Sequence, residues 1–222
     1  IHSGSRNFGL KIAKTYHDKA QKICKKNRIE LQDRDLAFLP INTAEAKEYL
    51  EAMNFALKFA MQNRFEMVAA IKKIILEFFP ETVFDETINI HHNYAAFETH
   101  FGEKVYVHRK GATSARDGEI GIIPGSQGTK SYIVKGKGNP QSFMSCSHGA
   151  GRKMGRNEAV RKLDLETEKR LLDSQGIIHG IRHAKDLDEA AGAYKDINTV
   201  MENQRDLVEI VHELTPLAVI KG

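Results

Sequence analysis

The sequence predicts an α+β fold. Three observations carry that prediction. One stretch, 44 to 79, keeps a helical pattern with no Gly or Pro until Pro80. From residue 83 the periodicity changes to short alternating runs. The two kinds of element then follow one another in an irregular order. A chain of 222 residues with 41% hydrophobic content can bury one substantial core, or one core with a smaller appendage. The chain is therefore read as one region, 1–222, with the helical stretch 43–79 as a subregion.

The elements are expected in this order. A Gly/Ser turn at 2–6 leads into a helix over 7–27. There Leu10, Ile12, Ala13, Tyr16, Ala20 and Ile23 share one face and lysines fill the other. Residues 30–42 connect, with Pro40 among them. Thr43 suits the N-cap of the next helix, because its hydroxyl can accept from a first-turn N–H. That helix is long enough to suggest a kink or two helices. Val83–Ile90, Lys104–His108, Ile120–Ile123 and Ser131–Lys135 alternate like strands. Dense glycines between 111 and 155 allow backbone N–H groups to approach a ligand closely. Residues 156–173 return to helix, 176–196 are rich in loops, Asn198–Leu214 reads as a last helix and Pro216–Gly222 as a last strand.

The net charge of +4 permits an anionic partner without requiring one. Cys24 and Cys146 are far apart and form no metal-knuckle spacing, which favours a reducing compartment. No apolar run approaches bilayer length and no secretory signal is evident, so a cytoplasmic protein without membrane contact is expected. The chain opens without Met, directly in a Gly/Ser turn, and is read as the C-terminal part of something longer.

Ten histidines is a high number for this length, and several sit beside Gly, Ser or Asn rather than in apolar stripes. Six constellations collect them with other chemistry. His2-Ser-Gly-Ser-Arg6 sets an imidazole beside small residues, though a surface turn histidine would look the same. In His91-His92-Asn93 the two rings should point to opposite faces, so only one easily faces a given metal, though a satisfied structural pair accounts for the motif equally well. Asn93 is then placed to bond a phosphate or to support a ligand. His108-Arg109-Lys110-Gly111 offers charges and turn amides to phosphate, or is simply a solvated charge run. Pro124–Ser131 gathers Ser126, Thr129 and Ser131 with two glycines. It lacks the GK[ST] ending of a P-loop and is either a nucleotide cradle or a Gly-rich hairpin.

The fifth constellation is Ser145-Cys-Ser-His148-Gly-Ala-Gly-Arg152, followed by Arg156. A helix beginning near His148 would aim free N–H groups at an anion, and Arg152 and Arg156, four apart, would share its face. That arrangement suits a histidine attacking a nucleotide α-phosphate. Cys146, with no positioned base, reads as buried filler rather than a nucleophile. The sixth is Lys221, at the end of an apolar strand that would hold its ammonium near the core.

Taken in order, HSGSR, HHNYA, VHRKGAT, IPGSQGTKSYIVKGKGNP, SCSHGAGR, GAYKDI and the terminal VIKG resemble the RtcB family of RNA ligases over essentially the whole chain. The resemblance implies a family-specific α+β fold with short-stranded central sheets and surrounding helices. It also implies joining of an RNA 3′-phosphate or 2′,3′-cyclic phosphate end to a 5′-hydroxyl, in tRNA splicing or RNA repair, with GTP and Mn2+. His148 matches the histidine that carries GMP. His2 and His92 match metal ligands, His92 rather than His91 because the family places Asn directly after the ligand. Asn93, Ser131, Gly149, Ala150, Gly151, Tyr194 and Lys221 match positions around the nucleotide. Arg6, Lys110, Arg152 and Arg156 match basic positions for RNA phosphate. The implied partners are RNA (tRNA halves or broken RNA) and GTP, with a helper protein alongside.

The chain departs from the family in two respects, the lesser being Asn7-Phe8 in place of the family's usual small pair after Arg6. The family's acidic-plus-cysteine metal motif and its GGGNHF-type motif precede HSGSR and have no counterpart in these residues. Two other functional readings therefore stand beside the ligase: a non-catalytic nucleotide- or RNA-binding truncated relative, and a metal-dependent cyclic phosphoesterase.

Overall fold

The computed structural model describes residues 1–221; Gly222, the last residue of the terminal motif and of the last predicted strand, lies outside the described residues. Helices and small sheets alternate irregularly, which is the predicted α+β class. The chain divides into two compact units, Ile1–Tyr94 and Ala95–Gly222.

The first unit is helical. Arg6 and Asn7 both take positive φ, 48° and 72°, and turn the chain into α1 (Phe8–Lys26). Asn7 does not cap this helix with its side chain; Ser5 Oγ does, accepting from Gly9 N at 2.8 Å. Lys25 and Lys26 close the last turn, where positive charge complements the exposed carbonyls. Ala20 and Cys24 are the buried residues of α1, whereas Leu10 and Ala13, expected on the apolar face, are exposed.

Thr43 caps α2 (Ala44–Phe78) as expected, accepting from Ala46 N at 3.2 Å. The helix runs 35 residues without a break, so the expected division into two is not found. Neither Gly nor Pro interrupts its ladder. Its buried residues are Ala46, Ala56 and Ala60. These small side chains allow α1 to approach, with Phe8 against Phe55 (centroids 5.7 Å apart) and Tyr16 against Tyr49 (5.4 Å). The segment Val83–Ile90, predicted as a strand, forms none. It runs along α2 and is tied by side chains, Lys72 Nζ donating to Thr87 Oγ1 at 3.2 Å. Alternation describes which residues face a neighbour; here the neighbour is a helix, not a strand.

The second unit holds the sheets. β1 (Asn93–His100), which the periodicity missed, and β2 (Glu103–Lys110) meet through Phe101-Gly102, both at positive φ (52° and 82°), as a tight hairpin turn requires. β3 (Ala112–Ser114) pairs antiparallel with β6 (Ser145–Ser147). β4 (Ile120–Ile123), β5 (Ser131–Gly136) and β8 (Val208–Leu214) form one antiparallel sheet with β5 in the middle. The main core lies against this sheet: Ile123, Tyr132, Val134, Cys146, Ala150, Ile197, Met201 and Val208.

Two predicted helices are corrected. The stretch 156–173 is two helices, α3 (Arg156–Lys162) and α4 (Leu165–Asp173), because Asp164 caps a new start by accepting from Thr167 N at 2.8 Å. The stretch 198–214 is α5 (Ile197–Glu202) followed by β8. Val208-Glu-Ile-Val-His-Glu-Leu214 is β-branched and alternating, and an unpaired edge of β5 is there to receive it. β7 (Ile178–His179) and β9 (Ala218–Val219) pair in parallel beside a second cluster of Leu172, Ile177, Ile181, Leu187 and Ala190. No helix among the described residues is long and apolar enough to cross a membrane.

Candidate active site

In the first unit, α2 brings two distant loops together. Asn63 Nδ2 donates to Ser3 Oγ at 3.0 Å and to Gly4 O at 3.2 Å. The next residue, Arg64, donates from Nη1 to Ser3 O at 3.1 Å and from Nε to Asn89 Oδ1 at 2.6 Å. One helical turn thereby holds both the His2 loop and the segment leading to His92. Their Nε2 atoms stand 3.4 Å apart with the rings nearly perpendicular. Two imidazole nitrogens bound at ~2.1 Å to one tetrahedral ion would be separated by about that much. The pair therefore fits a shared divalent cation, with further ligands supplied by other groups. His91 is turned elsewhere, its ring 6.2 Å from that of Tyr94. Burial first, then the Arg64 charge, lowers its pKa from the ordinary imidazole value. Asn93 opens β1 and is exposed, and Arg6 lies exposed at the start of α1.

In the second unit, the His148 segment is enclosed on several sides. β6 delivers it, and His148 N donates to Gly111 O at 3.3 Å. Gly111 has φ +69°, and a Cβ there would lie 3.6 Å from both Cε1 and Nδ1 of the imidazole. The β2–β3 turn thus lies against one edge of the ring, next to exposed Lys110. The Pro124–Ser131 loop covers the following residues. Ala150 N donates to Pro124 O at 3.1 Å, and a Cβ on Gly149 would meet the same oxygen at 3.1 Å. Ser131 Oγ closes that loop by accepting from Gly125 N at 3.2 Å. Ser147 N donates to Oε1 of buried Gln204 at 3.0 Å, which anchors the segment from beneath. Gly149 and Ala150 are buried and His148 is half-buried.

Beyond His148 the chain bridges Arg152 to Tyr194, with Lys195 N donating to Gly151 O and Lys153 N to Ala193 O, both at 2.9 Å. The expected helix start at His148 is not there. α3 begins eight residues later, at Arg156, so Arg152 and Arg156 do not share a helix face. They converge all the same, on Glu189: Arg152 Nη1 reaches Oε2 and Arg156 Nε reaches Oε1, each at 2.8 Å. The Tyr194 hydroxyl donates to the same carboxylate. Burial first, then Glu189, pushes the phenol up to about 12, so it keeps its proton. Lys221 does not end a core strand. It lies past β9, partly exposed, paired with Asp188.

The structure thus gathers His148, Gly149, Ala150, Gly151, Ser131, Tyr194, Lys221, Arg152 and Arg156 in one region of the second unit. It places His2, His92 and Asn93 in the first. Cys146 is buried, and desolvation raises its thiol to about 11, which leaves it protonated and unfit as a nucleophile. Sequence reasoning missed Asn63, Arg64 and Asn89, which bring the histidines together, and Asp188, Glu189 and Gln204, which organise the second unit. None sits in a motif. Asp188-Glu189 in particular reads as an ordinary solvated acidic pair.

The family described as tRNA-splicing ligase RtcB matches the chain over residues 1–222. An RNA-splicing ligase RtcB of Escherichia coli is 44% identical over 228 residues, covering 100% of this chain and 55% of that protein. One from Mycobacterium tuberculosis is 34% identical over 243 residues, covering 100% of this chain and 56% of its own length. A tRNA-splicing ligase RtcB of Nanoarchaeum equitans is 34% identical over 248 residues, covering 100% of this chain and 51% of its own. The chain spans about half the length of the curated relatives it matches.

Proposed function

Because this chain belongs to the RtcB family of tRNA-splicing ligases, we propose that the protein joins RNA ends with GTP, and that His148 carries the GMP group between the two substrates. The RNA ends would be a 3′-phosphate, or a 2′,3′-cyclic phosphate first opened by water, and a 5′-hydroxyl. The observation that best supports the reading is the enclosure of the His148–Arg152 segment. Small residues line it, turns press on it from both sides, and cationic and phenolic groups stand at its end.

The chemistry divides into balanced steps. His148 Nε2, the ring nitrogen on the side away from Gly111, forms a bond to the α-phosphorus of GTP as pyrophosphate leaves. An oxygen of the RNA 3′-phosphate then takes the GMP group and frees the imidazole. The 5′-hydroxyl oxygen attacks that activated 3′-phosphorus, loses its proton to solvent, and GMP departs. His2 and His92 would hold Mn2+, which supplies charge neutralisation at the phosphates. Gly149, Ala150 and Gly151 let the backbone approach the nucleotide, with Asn93, Ser131, Tyr194 and Lys221 as further contacts. Arg6, Lys110 and Arg156 are the positions assigned to RNA phosphate, while Arg152, matched to the same role by sequence, turns its donors inside the fold.

Incubating full-length protein with GTP labelled at the α-phosphate, in Mn2+, tests the reading. An acid-labile, alkali-stable label on the protein, chased into joined RNA by added ends, is the expected result. RNA with a 3′-phosphate that is only hydrolysed and never joined would favour the phosphoesterase. The histidine pair has its own test. Arg64→Ala removes the donor shared by both loops, and Mn2+ affinity, measured by the free-ion electron paramagnetic resonance signal, should fall about tenfold. Unchanged affinity would remove Arg64 from the metal centre's support.

A further inference from the structure

Glu189 ends the 3₁₀ turn Ala184–Glu189, and no motif includes it. Its carboxylate takes Arg152, Arg156 and Tyr194 at once. The two arginines are spent very differently. A guanidinium has five N–H donors. Arg152 directs them inward: Nη1 to Glu189 at 2.8 Å and to the Tyr194 hydroxyl at 3.2 Å, Nη2 to Asp188 O at 2.5 Å, and Nε to Met154 O at 3.0 Å. It is a strut. Arg156 commits its Nε to Glu189, while its side chain is 68% exposed. Its Nη1 and Nη2 lie at the far end of a group whose near end is anchored.

Resting on the function proposed above, we propose that Glu189 is a positioning residue that aims the Nη pair of Arg156 at the terminal 3′-phosphate of the RNA. Holding Nε fixes the plane of the guanidinium, and the outer edge is then preset for two parallel bonds to phosphate oxygens. The same carboxylate accepts the only proton of Tyr194, so the phenol oxygen serves the nucleotide region as an acceptor alone.

Elementary electrostatics makes the opposite prediction to positioning, which makes the idea testable. A carboxylate beside two guanidiniums cancels positive charge. If that were its only effect, Glu189→Gln would tighten binding of every RNA. Positioning requires loss of the preference for a phosphorylated end. Full-length protein is titrated at fixed salt with a fluorescent oligoribonucleotide bearing either a 3′-phosphate or a 3′-hydroxyl. In Glu189→Gln the affinity ratio between the two should fall about tenfold, with the 3′-hydroxyl oligomer bound as well as before or better. Arg156→Lys, at an exposed position, keeps the charge but not the anchored plane, and should lose the ratio to the same extent. A ratio retained in either variant overturns the role of Glu189 while leaving the ligase reading intact. A wild-type protein without any preference for the 3′-phosphate overturns both.

Discussion

If His148 carries GMP as proposed, its replacement by alanine should abolish the protein–GMP adduct and lower RNA joining by a factor on the order of 10⁴ or more. Cys146 and Tyr194, two other nucleophilic groups near that segment, are poorly suited. The Cys146 thiol, at about 11, is protonated at neutral pH, and the Tyr194 phenol, at about 12, keeps its proton and donates it in a hydrogen bond to Glu189. Cys146→Ala should therefore keep the adduct. Labelling both variants of full-length protein with α-labelled GTP decides the matter. Adduct surviving in His148→Ala, or lost in Cys146→Ala with the thermal transition unchanged, would move the nucleophile away from His148.

The second large effect concerns charges buried beside the same segment. Glu98 on β1 and Arg109 on β2 form a two-pronged ion pair at 2.6 and 3.0 Å, with both side chains almost fully buried. His100 Nε2 reaches the same carboxylate at 2.7 Å. Arg109 Nε continues to Ser145 Oγ at 2.9 Å and Nη2 to Phe143 O at 3.0 Å, which ties β2 to the start of β6. β6 ends at Ser147, just before His148, and β2 ends at the Gly111 turn against its ring. Arg109→Met leaves the buried Glu98 carboxylate with only half-exposed Arg116, 3.2 Å away, and His100 as partners, and should cost about 3 kcal/mol. Replacing both partners by apolar residues should recover much of that, which a denaturant titration of single and double variants would show. A single variant within about 0.5 kcal/mol of wild type would contradict the burial.

The same pair sets a pH dependence. The Arg109 hydrogen bonds, above all, hold the Glu98 carboxyl down from 4.5 to about 2. Between those values the unfolded chain binds a proton that the folded one does not. The stabilisation from Glu98 is therefore fully present above about 4.5 and is lost as pH falls toward 2. Acid unfolding of Glu98→Gln should be correspondingly shallower across that window.

Local signals were read well where the chain itself supplies the partner. Thr43 caps α2 three residues on, β4 and β5 are close in sequence, and Gly111 sits in a tight turn. The errors came where the partner is remote. Val208–Leu214 fits a helix until β5 offers an edge, and Val83–Ile90 fits a strand until α2 lies beside it. Arg152 and Arg156 look like helix neighbours by spacing, yet they meet through Glu189, more than thirty residues away.

The sequence by itself determined the family, the α+β class and the ordered set of small-residue and histidine motifs, because these depend on residue identity and on turns closed within a few residues. Only the tertiary structure decided that Arg64 joins the His2 loop to the His92 segment, that Glu98 sits under Arg109, and that Glu189 divides two arginines into a strut and an outward-facing fork. A carboxylate or guanidinium has the same local pattern whether solvated or buried. Its role is set by which distant group the packed backbone places within hydrogen-bonding reach.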